Sequence, residues 1–279
     1  MKSILIRFGL PVLAVFWVGG CDFIDTTGSL FISEQDEVKL GTEFDNHLRT
    51  NDSAKLQFPI FVPRPGTGDT AFQQYVENLA QSILSAIPVS EKPGYPFKFT
   101  IVNANVDNAF AVPGGFVYIY TGIIKHMQDE SELAGVLGHE ISHVTRHHYR
   151  DALVKQSGLS LLVQALLGND AGKLAQLVAQ SFSTLTQLSI SRGNESEADQ
   201  YGTIYEGKIG HNPMGIAKFF SRMESQSITI LSTHPQPVSR VADVTAQVNA
   251  DATLRSLAAD SANTNFASRF MLNTATIRQ

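Results

Sequence analysis

The chain has 279 residues, 43% of them hydrophobic and 17% charged, so it can bury a core and is not disordered by composition. Its formal net charge is −5, from 21 basic and 26 acidic residues, which argues against a nucleic-acid partner, since such binders usually carry a basic excess on one face. With one Cys, neither an intramolecular disulfide nor a zinc site built on several thiolates can form, so any zinc must rely mainly on His, Asp and Glu.

The first twenty residues read as a secretory signal: Lys2 and Arg7, an uncharged apolar run from Phe8, then the small residues Gly19 and Gly20. The apolar run is shorter than the roughly 20 residues a bilayer requires. Val18-Gly19-Gly20-Cys21 resembles a bacterial lipobox, in which the Cys is lipidated and becomes the new N-terminus. The expectation is a signal peptide over 1–20, then a lipidated N-terminus and tether over 21–32, anchoring the chain to a membrane through Cys21.

A helix is expected to start at Ser33, with Leu40, Phe44 and Leu48 recurring along one face. Residues 51–69, with three Pro and two Gly, read as loop. Helical periodicity returns over 71–87 through Phe72, Tyr75, Val76, Leu79, Ile83 and Leu84. Residues 97–102 and 116–120 read as strands, with Pro113-Gly114-Gly115 as a turn before the second. From Glu130 onward the pattern is helical. The apolar stretch 158–167, interrupted by Gln164, reads as a buried or groove-lining helix. No internal repeat or low-complexity tract is found.

The chemistry concentrates in two segments. The first contains His139-Glu140-Ile141-Ser142-His143, an H-E-x-x-H pattern. On a helix, residues four apart differ by about 40° in azimuth, so both imidazoles project from one face and can close on one metal. Glu140, about 100° round from His139, can reach a water on that metal without ligating it. Asp129 is placed to cap this helix, with Glu132 completing a capping box. Gly135 and Gly138, each costing about 1 kcal/mol in a helix, point to close approach of another element.

The second segment is Glu195-Ser196-Glu197-Ala198-Asp199. Two His ligands leave a catalytic zinc needing one more protein ligand and a water. Glu195 and Asp199 share a helix face, whereas Glu197 points about 200° away and is expected to be solvated. Glu195 is therefore assigned to the metal, and Asp199 is placed to accept an N–H from a ligating imidazole. His147 and His148, with Arg146 and Arg150, read as a basic helix end. His211 reads as a turn residue, and His47 and His126 belong to no constellation.

His139-Glu140-x-x-His143 together with Glu195-x-x-Ala198-Asp199 resembles the zinc endopeptidases typified by HtpX and the CAAX prenyl protease. Residues Asn108-Ala109-Phe110-Ala111-Val112-Pro113-Gly114-Gly115 are similar to that family's strand and turn ahead of the active helix. Thr233-His234-Pro235, with Arg240 six residues past the His, is similar to its C-terminal His-Pro segment. The resemblance covers about residues 33–250, leaving 251–279 as a C-terminal tail. It is nearest to the soluble periplasmic lipoprotein members of the LoiP and BepA types, without the tetratricopeptide domain of the latter.

The resemblance implies an α+β fold: a mainly helical zincin-type metalloprotease domain with a small β-sheet ahead of the active-site helix. It implies one zinc per chain on His139, His143 and Glu195, with Glu140 as general base. It places His234 at the active site, either donating to the oxyanion or occupying the open metal position. Substrate would add as a strand at a sheet edge, with Gly115, Phe116 and Val117 as candidate contacts, and Arg240 is a further candidate. The implied function is an endopeptidase of the bacterial cell envelope, facing the periplasm, that hydrolyses misfolded or misassembled envelope proteins. The alternative is a lipid-anchored assembly factor or chaperone with minor or latent peptidase activity.

Overall fold

Ser33 starts the first helix reciprocally: its hydroxyl accepts from the Asp36 backbone N–H, and the Asp36 carboxylate accepts from the Ser33 N–H. The computed structural model describes residues 32–167, 171–185, 190–223, 234, 237–260 and 264–278. The expected signal sequence, Cys21, most of the tether, Thr233 and Pro235 lie outside the described residues.

Helix α1 (Glu34–Thr50) buries the predicted stripe of Leu40, Phe44 and Leu48. Asn51 ends it and caps a short α2 (Asp52–Gln57) by accepting from the Ala54 N–H. The region expected as loop therefore opens with a helix, because its Pro and Gly residues begin only at Pro59. Helix α3 (Asp69–Ala86) then buries Phe72, Val76, Leu79 and Ile83.

The sheet has three strands in the order β1-β3-β2: β1 (Lys98–Val102), β2 (Ala109–Val112) and β3 (Phe116–Tyr120). Strands β1 and β3 are parallel; β2 and β3 form an antiparallel hairpin. Its turn needs Gly114 and Gly115 at φ 84° and 95°. A Cβ on Gly114 would fall 2.4 Å from the Glu37 carbonyl oxygen, so the turn sits directly on α1. The central position of β3 corrects one expectation. Its backbone is paired on both sides and its side chains are buried, so Gly115, Phe116 and Val117 cannot offer a free edge. Sequence patterning identified the strand and did not reveal the hairpin partner that covers it.

Helix α4 (Thr121–His126) leads into α5 (Glu130–Thr145), which is buried along its whole length. Asp129 caps α5 as predicted by accepting from the Glu132 N–H, while Glu132 reaches back to the Gln128 N–H, one residue beyond the expected box. There follow α6 (His148–Ser157), α7 (Leu159–Leu167), α8 (Ala171–Leu185), α9 (Arg192–Lys208), α10 (Gly215–Met223), α11 (Pro237–Ala250), α12 (Ala252–Ala259) and α13 (Thr264–Arg278). In α7, Leu162, Ala165 and Leu166 are buried while Leu161 is exposed, consistent with the expected partly buried apolar helix.

The two glycines of α5 act as predicted. A Cβ at Gly135 would sit 2.4 Å from the Ile216 backbone nitrogen of α10, and one at Gly138 would sit 3.3 Å from the Gly202 backbone of α9. This brings α9 close enough to α5 to share a site. Residues 251–279, expected as a tail, are instead part of the domain in their described portion. On α13, Phe270 is fully buried, Arg269 pairs with Glu130, and Arg278 donates to the carbonyls of Ile124, Lys125 and Met127. Among the described residues, no helix is long and apolar enough to cross a membrane.

Candidate metal centre

Helix α5 presents His139 and His143 from one face, with their Nε2 atoms 2.9 Å apart. Glu195, in the first turn of α9, places Oε2 3.5 Å from His139 Nε2 and Oε1 3.4 Å from His143 Nε2. His234 brings Nδ1 to 3.2 Å from His139 Nε2 and 3.1 Å from Glu195 Oε1. The four ligand atoms lie within 4.8 Å of one another, and all four side chains are buried. The positions assigned from sequence for the metal and for His234 thus converge on one point.

This donor set fits zinc. Imidazole nitrogens facing each other at 2.9 Å beside a carboxylate repel unless a proton or a cation lies between them, and His plus Glu is a common zinc set. Without metal, burial and Arg240 oppose protonation of His139, yet hydrogen bonds to Asp199 and Glu195 prevail and its pKa is pushed up to about 9. Burial pushes the Glu195 carboxyl up, but His234, His139 and His143 together hold it well below the usual carboxylate range. A metal cation would take the place of that proton.

Each histidine ligand has a different outer partner. His139 Nδ1 lies 2.9 Å from Asp199 Oδ1, as the helical face predicted. Arg240 then grips Asp199 with Nε and Nη2, each at 2.6 Å, and reaches Glu195 Oε2 with Nη1 at 2.7 Å. Its guanidinium also lies 4.3 Å from the centroid of the Phe220 ring. Arg240 is 4% exposed and occupied by the site's own acids, so it organises the centre rather than meeting substrate as expected.

His143 Nδ1 lies 2.9 Å from His148 Nδ1, and His148 Nε2 lies 3.1 Å from Glu197 Oε2. Arg146 Nε donates to Glu197 Oε1 at 2.8 Å. Glu197 is therefore bound rather than solvated, and His148 is more than part of a basic helix end. The face argument for Glu197 treated α9 alone and overlooked the junction of α5 and α6 beside it. His147 has φ 59° and breaks the helix there. Five residues along an unbroken helix, His148 would stand about 140° from His143; the break turns it back.

Glu140, the expected general base, is fully buried. Its Oε2 accepts from the Tyr149 hydroxyl at 3.1 Å, whereas Oε1 has no hydrogen-bond partner among the described residues and lies 3.4 Å from His234 Nε2. Burial pushes the Tyr149 phenol well above its ordinary pKa, so it remains a donor. Sequence reasoning missed Tyr149, which depends on the same helix break. Two of the other histidines are structural: His147 Nδ1 lies 2.8 Å from Glu37 Oε1, and His211, 2.7 Å from Glu130 Oε1, stacks on Phe266. His211 is thus a buried anchor rather than a simple turn residue.

A match to peptidase family M48 covers residues 71–248. The beta-barrel assembly-enhancing protease of Yersinia pestis is 30% identical over 242 residues, 81% of this chain and 46% of that protein. The beta-barrel assembly-enhancing protease of Escherichia coli (strain K12) is 30% identical over 200 residues, 66% of this chain and 40% of that protein. Metalloprotease LoiP of the same organism is 27% identical over 165 residues, 57% of this chain and 65% of that protein. The chain thus spans less than two thirds of the length of these curated relatives.

Proposed function

Since this chain belongs to peptidase family M48, we propose that it is a zinc-dependent endopeptidase of the bacterial cell envelope, acting on misfolded or misassembled envelope proteins. The observation that carries this reading is Oε1 of Glu140, buried beside the convergent ligands with no hydrogen-bond partner among the described residues. An unpaired buried carboxylate oxygen costs stability, so its retention needs a reason, and a general base facing a reaction centre supplies one. A zinc bound by His139, His143 and Glu195 would polarise the scissile carbonyl and the attacking water. Glu140 takes the proton as the water oxygen bonds to the carbonyl carbon. It then gives that proton to the leaving amine as the C–N bond breaks. Tyr149 holds Oε2, keeping Oε1 turned to the water. The relatives named for β-barrel assembly and the lipobox-like sequence at Cys21 support an envelope location and a membrane anchor.

His234 favours a second reading, a lipid-anchored assembly factor whose peptidase activity is latent. A fourth protein ligand closes a zinc to water, as in structural sites, and His234 stands within ligand distance. One experiment separates the readings: zinc content and cleavage of an unfolded outer-membrane protein by the wild type, Glu140→Gln and His234→Ala. The expected result is one zinc in each and cleavage by the wild type that Glu140→Gln abolishes, whereas cleavage that appears only in His234→Ala supports the second reading. Cleavage by Glu140→Gln equal to wild type refutes the mechanism. A roughly 10²–10³-fold loss in His234→Ala would make this residue an oxyanion donor instead of a plug.

A further inference from the structure

The flank of His143 carries a consequence for metal binding. With Nε2 turned to the metal position, a neutral His143 keeps its proton on Nδ1. The only described ring atom that bond reaches is His148 Nδ1, at 2.9 Å, which must then present a lone pair. The His148 proton accordingly sits on Nε2 and is donated to Glu197 Oε2 at 3.1 Å. Arg146 fixes the other Glu197 oxygen and lies 4.5 Å from the centroid of the Tyr201 ring. Each step leaves one tautomer for the next ring. His148 itself is 3% exposed and its Nδ1 is committed to His143, so it is not a further ligand.

We infer that His148 is a positioning residue for the metal: it accepts the Nδ1–H of His143, and Glu197 locks it in the tautomer that can do so. This rests on the zinc reading above. The chain of bonds fixes the ring plane of His143 and makes its Nε2 a better donor, the work Asp199 does for His139.

The test measures zinc affinity of the full chain by chelator competition, and the visible spectrum of its cobalt-substituted form. His148→Phe keeps the ring and removes the acceptor, and should weaken zinc binding by roughly 10–100-fold. His148→Asn places a carbonyl oxygen near the position of Nδ1 and should recover most of that loss along with the wild-type cobalt spectrum. Glu197→Gln should fall between wild type and His148→Phe. Wild-type affinity in a folded His148→Phe overturns the inference, as does His148→Asn no better than His148→Phe. Should His148→Phe fail to fold, Glu197→Gln decides: weakened zinc binding supports the relay and unchanged binding overturns it. A wild-type chain that binds no zinc would instead defeat the zinc reading itself, an outcome distinct from all of these.

Discussion

On one side of the metal centre, His139 leans on Asp199 and Arg240, which are 3% and 4% exposed. On the other, His143 leans on His148 and, behind it, on Glu197 and Arg146, whose side chains are 36% and 31% exposed. The two ligands are one turn apart on a single helix, yet one is held by a buried ion pair and the other by a neutral ring tied to a half-exposed pair. Burying Arg240 is expensive on its own and tolerable because two carboxylates neutralise it in place. The open flank has no such desolvation cost and gains correspondingly little from its charges. The first arrangement fixes geometry by charge that water cannot screen, the second by tautomer and packing.

Removing the buried cation breaks the comparison most sharply. Arg240→Met leaves Asp199 and Glu195 buried without their common partner, which should cost the metal-free protein about 3–5 kcal/mol. Saturating zinc should reduce that loss, because its charge compensates Glu195 once more. Denaturant unfolding with and without zinc measures both, and a metal-free loss under about 1 kcal/mol would show that the flank is not held by charge.

How much of this was legible in the sequence follows the same division. His139, His143, Glu195 and Asp199 obey helical spacing within unbroken helices, so α5 and α9 could be read residue by residue. Gly138 announced the close packing that joins them, and Gly135 the packing of α10 on α5. The other flank depends on His147 at φ 59°, a conformation that non-Gly residues seldom adopt and that no glycine marked. His148, Tyr149 and the binding of Glu197 all follow from that break and stayed hidden. Arg240 was found by its place after His234 and given the wrong work, since spacing alone does not report burial. The edge of the sheet was misplaced for a related reason: β2 is four residues long, and its pairing with β3 is a tertiary fact.

Helix α9 carries its own internal contrast, which gives the next largest effect. Asp199 and Glu206 are both buried on it, but among the described residues no ion pair reaches Glu206, whose carboxylate is opposed only by the charge of Lys218 and the Gly215 backbone N–H. Burial and Arg240 act oppositely on Asp199, and Arg240 and His139 win, holding its pKa low. For Glu206 burial wins and raises the pKa well above the ordinary value. The folded state therefore keeps this proton where the unfolded chain has lost it. Stability on its account is full below the unfolded pKa of about 4.3 and falls as pH rises, by up to about 1.4 kcal/mol per unit, until the folded pKa is reached. Glu206→Gln should match wild type near pH 4 and become the more stable of the two as pH rises toward 8, which denaturant unfolding across that range measures. Parallel pH–stability curves for the two proteins would mean that Glu206 ionises normally.

The smallest effect belongs to the half-exposed pair, and it sharpens the contrast by its dependence on salt. Arg146→Gln removes the charge that meets Glu197 and the guanidinium that covers Tyr201. Both partners retain contact with water, so their attraction is weakened by the high dielectric and screened beyond about 10 Å at 0.1 M ionic strength. The expected loss is under about 1 kcal/mol, and its electrostatic part should shrink by more than half in about 1 M salt. What survives there reports mainly the lost packing of the long side chain over the Tyr201 ring. The Arg240→Met loss should persist at the same salt concentration, since ions do not reach a group that is 4% exposed. Thermal unfolding of both variants across a salt series makes the distinction. An Arg146→Gln loss as large and as insensitive to salt as that of Arg240→Met would show that the open flank is sealed from solvent and holds His143 by the same buried charge as its neighbour.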